Sequence, residues 1–346
     1  MRGISSSFHG RDNVVKVLFI GGTGNISTSV SRLCIERGMD LYLLNRGTRN
    51  VSIPQARLLQ GDISNPEGLT AVLANLRWDV VVDWIAFTEE NIERDIRLFR
   101  DRTKQYVFVS SASAYQKPPS HPVITESTPL SNPFWEYSRN KIACENRLNR
   151  SYSEEGFPIT IVRPSLTYDT VIPVAIGGWT EYTIIDRMKR GKPVIVHGDG
   201  TSLWTITHAE DFARGFVGIL GHQQAVGQAF HITSDEILTW NQIYQTVADA
   251  AACRAEMVHI PSDFIAQCEP NLKGTLLGDK AVSVIFDNSK IRKFVPEFRA
   301  TIPFAQGIKR TLAWFEADPA RQIIREETNE MMERILRLYL EKPGNR

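Results

Sequence analysis

Tyr137 and Lys141 stand four residues apart in the stretch YSRNK, a spacing that puts both on one face if the stretch is helical. A phenol is a poor base near neutral pH, because its ordinary pKa is about 10. A neighbouring ammonium stabilises the phenolate and draws that pKa toward the range where general acid–base catalysis is efficient. The pair recurs by chance in many chains, so its position carries the weight. It follows an apolar run, Tyr106 to Ser110, that leads into Ser110-Ser111-Ala112-Ser113. Both follow a glycine-rich turn near the start of the chain.

That turn, Gly21-Gly22-Thr23-Gly24-Asn25-Ile26-Ser27, joins the first apolar run to the first amphipathic stretch. A pyrophosphate binds backbone N–H groups at a helix N-terminus, and a Cβ at the closest approach would block it. Gly21, Thr23, Gly24, Asn25 and Ile26 are therefore the expected dinucleotide cradle. Ser27 replaces the usual third glycine, whose role is close helix–strand packing. The second strand should end in an acid that holds a ribose diol, but the expected position is Asn45, followed by Arg46. An amide cannot match a carboxylate there, whereas a guanidinium pairs well with a 2′-phosphate. The expectation is NADP in preference to NAD, with Asp62 and Ile63 flanking the adenine.

These groups need a frame. Val15 to Ile20, Leu41 to Leu44, Asp79 to Trp84 and Tyr106 to Ser110 are continuous apolar runs, as in strands buried on both faces. Ile26 to Arg37 and Asn91 to Arg100 carry apolar residues at helical spacing between them. Ile159 to Val162 and Ala229 to Ile232 add two more strands. The alternation predicts an α/β fold, a Rossmann-type doubly wound parallel sheet with a smaller C-terminal substrate-binding lobe. The expected dinucleotide-binding part is 14–168, with a return to the sheet at 207–233. The lobe is expected over 169–206 and 234–327. Residues 1–13 read as a polar extension, and 328–346 as a terminal helix and tail with Met331, Ile335 and Leu338 as its apolar side.

Composition narrows the function classes. The 346 residues carry 40 basic and 39 acidic side chains, a formal charge of +1. Such balance lacks the basic footprint of a nucleic-acid binder. The cysteines, Cys34, Cys144, Cys253 and Cys268, are scattered without a Cys-x-x-Cys pair and read as free thiols. His222, His231 and His259 show no ligand-like spacing, and His197 and His208 read as structural, so no metal is expected. No apolar run approaches the roughly 18 residues of a membrane span, and the N-terminus lacks a secretory h-region. The expectation is a cytoplasmic protein acting on a small molecule, with neither nucleic acid nor membrane as partner.

With these motifs in order, the chain resembles the extended branch of the short-chain dehydrogenase/reductase superfamily, the NAD(P)-dependent epimerase/dehydratase family. The resemblance rests on VLFIGGTGNIS (Val17 to Ser27), LLNRG (Leu43 to Gly47), Gly61-Asp62, FVSSASAY (Phe108 to Tyr115) and YSRNK. VRP (Val162 to Pro164), HAEDFA (His208 to Ala213) and FDNSKIRKFVPEF (Phe286 to Phe298) extend it. It implies Tyr137 as general acid or base and Lys141 as the residue that lowers its pKa and holds the nicotinamide ribose. Ser111, four residues before Tyr115, would hydrogen-bond the reacting oxygen, with Ser113 as its neighbour at the substrate. Ser110, Ala86 and Pro164 would border the cofactor. Family members are commonly dimers through paired helices, which makes a homodimer the implied assembly.

Departures from the family pattern bear on the substrate. Dehydratases carry Asp-Glu directly after the catalytic threonine, where this chain has Ala112 and Ser113. Nucleotide-sugar members often place arginines where this chain has Trp204 and, in Leu276 to Lys280, only Lys280 as a cation. Burying a diphosphate without paired cations would cost several kcal/mol. Trp179 and Trp204 suggest apolar faces for a ring. The expected activity is epimerisation of a sugar or sugar derivative through transient hydride abstraction. The alternatives are an NADPH-dependent reductase or dehydrogenase of a sugar or small carbonyl compound, and an atypical RNA-binding member like the chloroplast stem-loop-binding proteins.

Overall fold

The computed structural model describes residues 14–47, 51–73 and 76–341. The expected polar extension, 1–13, and the tail beyond Glu341 lie outside the described residues. Seven strands form one fully parallel sheet: β1 (Lys16–Ile20), β2 (Asp40–Asn45), β3 (Arg57–Gln60), β4 (Val80–Asp83), β5 (Tyr106–Val109), β6 (Ile159–Pro164) and β7 (Gln228–Ile232). Their order is β7-β6-β5-β4-β1-β2-β3. The order reverses direction between β1 and β4, and a crevice opens there at the carboxyl ends of the strands.

The central strands β1, β4 and β5 are largely apolar because helices cover both faces, whereas the edge strand β3 (RLLQ) is mostly exposed. Val17 and Phe19 point to one side, where Val30 and Cys34 of α1 (Ser27–Glu36) meet Phe212 and Phe216 of a later helix. Leu18 and Ile20 point to the other, onto Leu69 of α2 (Pro66–Leu73), Ile92 and Ile96 of α3 (Glu89–Phe99), and Leu148 of α4 (Glu136–Glu155). Each such side chain, fully buried, contributes about 1.5–3 kcal/mol. The later helix is α5 (Ala209–Ile219), which packs beside α1 and leads into β7.

A second core gathers residues from across the remaining chain, including Tyr182, Trp240, Ile260 and Phe304. Chain position alone does not sort residues between the two cores. Ala112, Tyr115 and Ile124 precede residue 168 but belong to the lobe core, and Val123–Ile124 pairs in parallel with Ile285–Phe286. Ile291, Val295 and Phe298, expected in the lobe, pack under the sheet with Phe216 and Phe230. The terminal helix, α6 (Glu326–Leu340), docks on the lobe through Met332, Ile335 and Leu336. Leu338, expected on its apolar side, is 42% exposed, because the buried stripe runs one step away around the helix. Among the described residues no helix is long and apolar enough to cross a membrane.

Candidate active site

A cavity of about 1170 Å³ runs from the carboxyl ends of β1 and β4 into the lobe. Its floor is the glycine turn. Gly21 and Gly22 both have φ of +95°, and a Cβ on Gly22 would stand 2.8 Å from Leu43 Cδ2 and 3.2 Å from Phe19 Cβ. The turn thus holds a left-handed backbone packed closely on Leu43 and Phe19 and presents the N-terminus of α1 to the cavity, a fit for the pyrophosphate of a dinucleotide. Thr23, Gly24, Asn25 and Ile26 complete this wall. Ser27, in place of the third glycine, is buried and accepts the Gly24 N–H at 2.8 Å. Asn25 staples the turn to the lobe: its Nδ2 donates to Thr167 O at 2.9 Å, and its Oδ1 accepts from Asp169 N at 3.0 Å.

Asn45, Arg46, Asp62 and Ile63 line the same end of the cavity. The Asn45 Oδ1 accepts the Gly47 N–H at 2.9 Å, so its side chain caps the turn. Hydrogen bonds from Ser64 hold the Asp62 carboxyl below its usual pKa, and Arg46 adds to the effect.

The inner face of α4 supplies the chemistry. Tyr137, Lys141 and Glu145 recur every four residues along it. The Lys141 ammonium is buried and donates to Ala86 O and Val109 O, each at 2.7 Å. It also lies over the rings of Phe87 at 4.5 Å and Phe108 at 4.8 Å, and burial lowers its pKa to about 8. Ser111 and Ser113 follow β5 and share a hydrogen bond at 2.9 Å between hydroxyls. Ser138, fully buried beside Tyr137, donates to Ser113 at 2.7 Å. The three serines form a relay whose outer member, Ser111, lines the cavity with Tyr137.

Three expectations change here. Burial pushes the Tyr137 phenol up from its ordinary pKa and the Asp279 carboxylate adds to this, while the Ser111 hydrogen bond works against it. The expected lowering by Lys141 does not set the pKa of this phenol: the ammonium lies 5.9 Å from the ring centre and donates to two carbonyls. Ala86 is 1% exposed and sits behind the cavity wall, contributing its carbonyl to Lys141. Ser110 reaches the wall, but its hydroxyl donates to Glu145 at 2.5 Å, within a buried ion pair of Glu145 with Arg163. Pro164 lines the cavity as expected.

Trp179 and Trp204 both line the lobe end. Trp179 is 37% exposed, and its indole N–H donates to Val174 O at 3.0 Å. Trp204 is buried, and its indole N–H has no hydrogen-bond partner among the described residues. His197 and His208 are structural: His197 Nε2 lies 3.0 Å from Lys280 O, and His208 Nδ1 accepts the Glu210 N–H at the start of α5. Among the described residues no group of three or more His, Cys, Asp or Glu side chains is placed to hold a metal ion.

Residues that sequence reasoning missed complete the site. The Trp135 ring lies 4.9 Å from the Tyr137 ring, tilted by 42°, and its position two residues upstream was the available signal. Asn132 Nδ2 donates to Ser113 O at 2.8 Å and to Gly278 O at 2.7 Å, tying the serine relay to the lobe. Met331 and Thr328 of α6 also reach the cavity, although from sequence Met331 reads as part of that helix's apolar side, a packing or dimer surface in preference to a ligand site.

Comparison with known proteins agrees with this geometry. The family model described as the NAD dependent epimerase/dehydratase family matches residues 17–233. A 2'-dehydrokanamycin reductase of Streptomyces kanamyceticus is 24% identical over 74% of this chain and 72% of its own length. The chloroplast stem-loop binding protein of 41 kDa b of Arabidopsis thaliana is 25% identical over 72% of this chain and 67% of its own. The structure of Thermus thermophilus UDP-glucose 4-epimerase in complex with NAD superposes with a TM-score of 0.67 at 17% identity, covering 87% of this chain and 99% of that one. Glycine turn, serine strand end and Tyr-x-x-x-Lys helix all fall within the matched span. The chain belongs to the NAD dependent epimerase/dehydratase family, as an NAD(P)-dependent enzyme of the extended short-chain dehydrogenase/reductase type.

Proposed function

We propose that this enzyme epimerises a sugar or sugar derivative at a carbinol carbon through transient oxidation. The observation that supports this most is the meeting of Ser111, Tyr137 and Lys141 in one wall, opposite a roomy lobe edged by Trp135, Trp179 and Trp204. The glycine turn and the N-terminus of α1 would hold the dinucleotide, with Arg46 toward a 2′-phosphate, which favours NADP. When bound, that cofactor supplies the hydride acceptor and donor. Tyr137 Oη takes the proton of the substrate hydroxyl and later returns it. Ser111 donates to the reacting oxygen, and its orientation is set by Ser113 and Ser138 behind it. Lys141, anchored on two carbonyls, keeps a positive charge beneath this wall.

A second reading, net reduction of a carbonyl by NADPH, draws on Arg46 and on the raised pKa of Tyr137. A phenol that holds its proton is suited to donate it to a forming alkoxide. The RNA-binding alternative draws only on the name of the chloroplast relative, and the near-zero charge favours it least. Purified protein separates the two enzymatic readings. Cofactor retained through desalting, with no net redox change on turnover, supports the epimerase; stoichiometric loss of NADPH supports the reductase. In either case Tyr137→Phe should bind the dinucleotide normally and lose about 10²–10⁴-fold in kcat. A fully active variant would overturn both.

A further inference from the structure

Asp83 is the last residue of β4 and is fully buried, yet the chemistry above gives it no part. A carboxylate in such a place is costly unless it is paired and hydrogen-bonded. Its partners form one connected network. Arg94 Nη2 donates to Asp83 Oδ2 at 3.1 Å, and Arg94 Nε donates to Asp95 Oδ1 at 2.8 Å. The Tyr106 hydroxyl donates to Asp95 Oδ2 at 2.6 Å. Asp95 and Tyr106 are fully buried, and the Arg94 side chain is 10% exposed. The network ties the end of β4 to α3 and to the first residue of β5.

The other oxygen of Asp83 is spent on the backbone. Asp83 Oδ1 accepts the Ile85 N–H at 2.6 Å, which fixes the chain as it leaves the sheet. Trp84, Ile85 and Phe87 of that segment line the cavity. The same segment seats Lys141, whose ammonium donates to Ala86 O at 2.7 Å and lies 4.5 Å from the Phe87 ring centre. Its second acceptor, Val109 O, closes β5. Lys141 thus bridges the ends of two strands that the buried network also joins. Charge points the same way. Two buried carboxylates share one guanidinium, while the hydrogen bonds of Lys141 go to neutral carbonyls. Burial lowers the Lys141 pKa, against the pull of Cys144 and Glu145 on its own helix and of Asp83 from the strand side. Tyr137, one turn away, is the remaining titratable group beside it.

We infer that Asp83 is a positioning residue for the reaction: clamped by Arg94, it holds the segment 84–87 so that the Ala86 carbonyl and the Phe87 ring meet the Lys141 ammonium. The inference rests on the part given to Lys141 in the functional reading above and adds the residue that aims it. An isosteric asparagine cannot take its place. Two donors converge on Asp83, the Arg94 guanidinium and the Ile85 N–H, one on each oxygen. Asparagine offers a single carbonyl oxygen, so one of the two donors is left facing an NH2 group.

The test reads the lysine itself. The full chain, isotopically labelled at lysine Cε, is titrated by NMR as wild type and as Asp83→Asn, with Lys141→Met to assign the signal. Proton binding at Lys141, with a midpoint of about 8 in wild type, should weaken by about threefold to tenfold in Asp83→Asn. The ammonium then loses a nearby negative charge and a well-aimed acceptor, and both losses act in that direction. Tyr106→Phe breaks the network at its far end without removing a charge, so it should lower the melting temperature and keep the wild-type midpoint. An unmoved midpoint in Asp83→Asn, or an equal shift in Tyr106→Phe, overturns the assignment. If Asp83→Asn does not fold, the wild-type Ile85 amide decides. Its resonance should titrate with the Lys141 midpoint and cease to do so in Lys141→Met; an amide that ignores Lys141 overturns the assignment as well. A shifted midpoint together with a fully active Tyr137→Phe would sink the proposed function alone. An unmoved midpoint together with an inactive Tyr137→Phe would sink only the positioning by Asp83.

Discussion

Lys141 Nζ and the Tyr137 ring centre are 5.9 Å apart on one helical face, yet the ammonium donates its hydrogen bonds to the carbonyls of Ala86 and Val109. The lysine is thereby an anchor between α4 and the ends of β4 and β5 as well as a source of charge. Burial lowers its pKa from 10.5 to about 8. Between these values the unfolded chain holds the proton that the native state releases, so stability rises with pH across the window. It is lost again as pH falls through about 8, where the buried group must carry charge. Lys141→Met lacks this titration. Urea denaturation of both proteins should show wild type gaining up to about 3 kcal/mol on the variant between about pH 8 and about pH 10.

The serine relay predicts a division between chemistry and binding. Ser113→Ala leaves the Ser138 hydroxyl buried without its partner, at a cost of about 1–3 kcal/mol. It also removes one of the two hydrogen bonds that orient the Ser111 hydroxyl, leaving the one from the backbone N–H of residue 113. Steady-state kinetics should show a lower kcat at a nearly unchanged dinucleotide affinity, and Ser138→Ala should move both quantities in the same direction by less. Equal loss of dinucleotide binding would instead mark the relay as scaffolding of the whole cavity.

Gly22→Ala should fail for two separate reasons. Alanine is strained at φ +95°, by about 1–3 kcal/mol, and its Cβ would press on Leu43 and Phe19. A lower melting temperature together with weakened dinucleotide binding is expected, measured by thermal denaturation and by nicotinamide fluorescence. A variant with both properties intact would show that the turn is not the cradle.

Arg46→Ala separates the two cofactors. The loss of a guanidinium at the end of β2 should weaken NADPH by about tenfold and leave NADH within about twofold. Fluorescence titration with both reduced dinucleotides reads this directly. Equal weakening of the two would place Arg46 elsewhere than at a 2′-phosphate.

The amino-acid sequence by itself determined the local parts of this enzyme. Continuous apolar runs can only be strands covered on both sides, a glycine turn between strand and helix admits a pyrophosphate, and a four-residue spacing aligns Tyr137 with Lys141 on one helical face. Each is a short-range consequence of backbone geometry and periodicity. Tertiary structure alone decided what those parts meet. Ser138 has no sequence pattern linking it to Ser113, and nothing near Lys141 foretells the carbonyls of Ala86 and Val109. Lys117, Trp204 and Lys280 lie on three distant segments that converge only when the lobe packs against the sheet. Their burial is a property of that packing, because desolvation depends on every neighbour and not on the residue's own place in the chain.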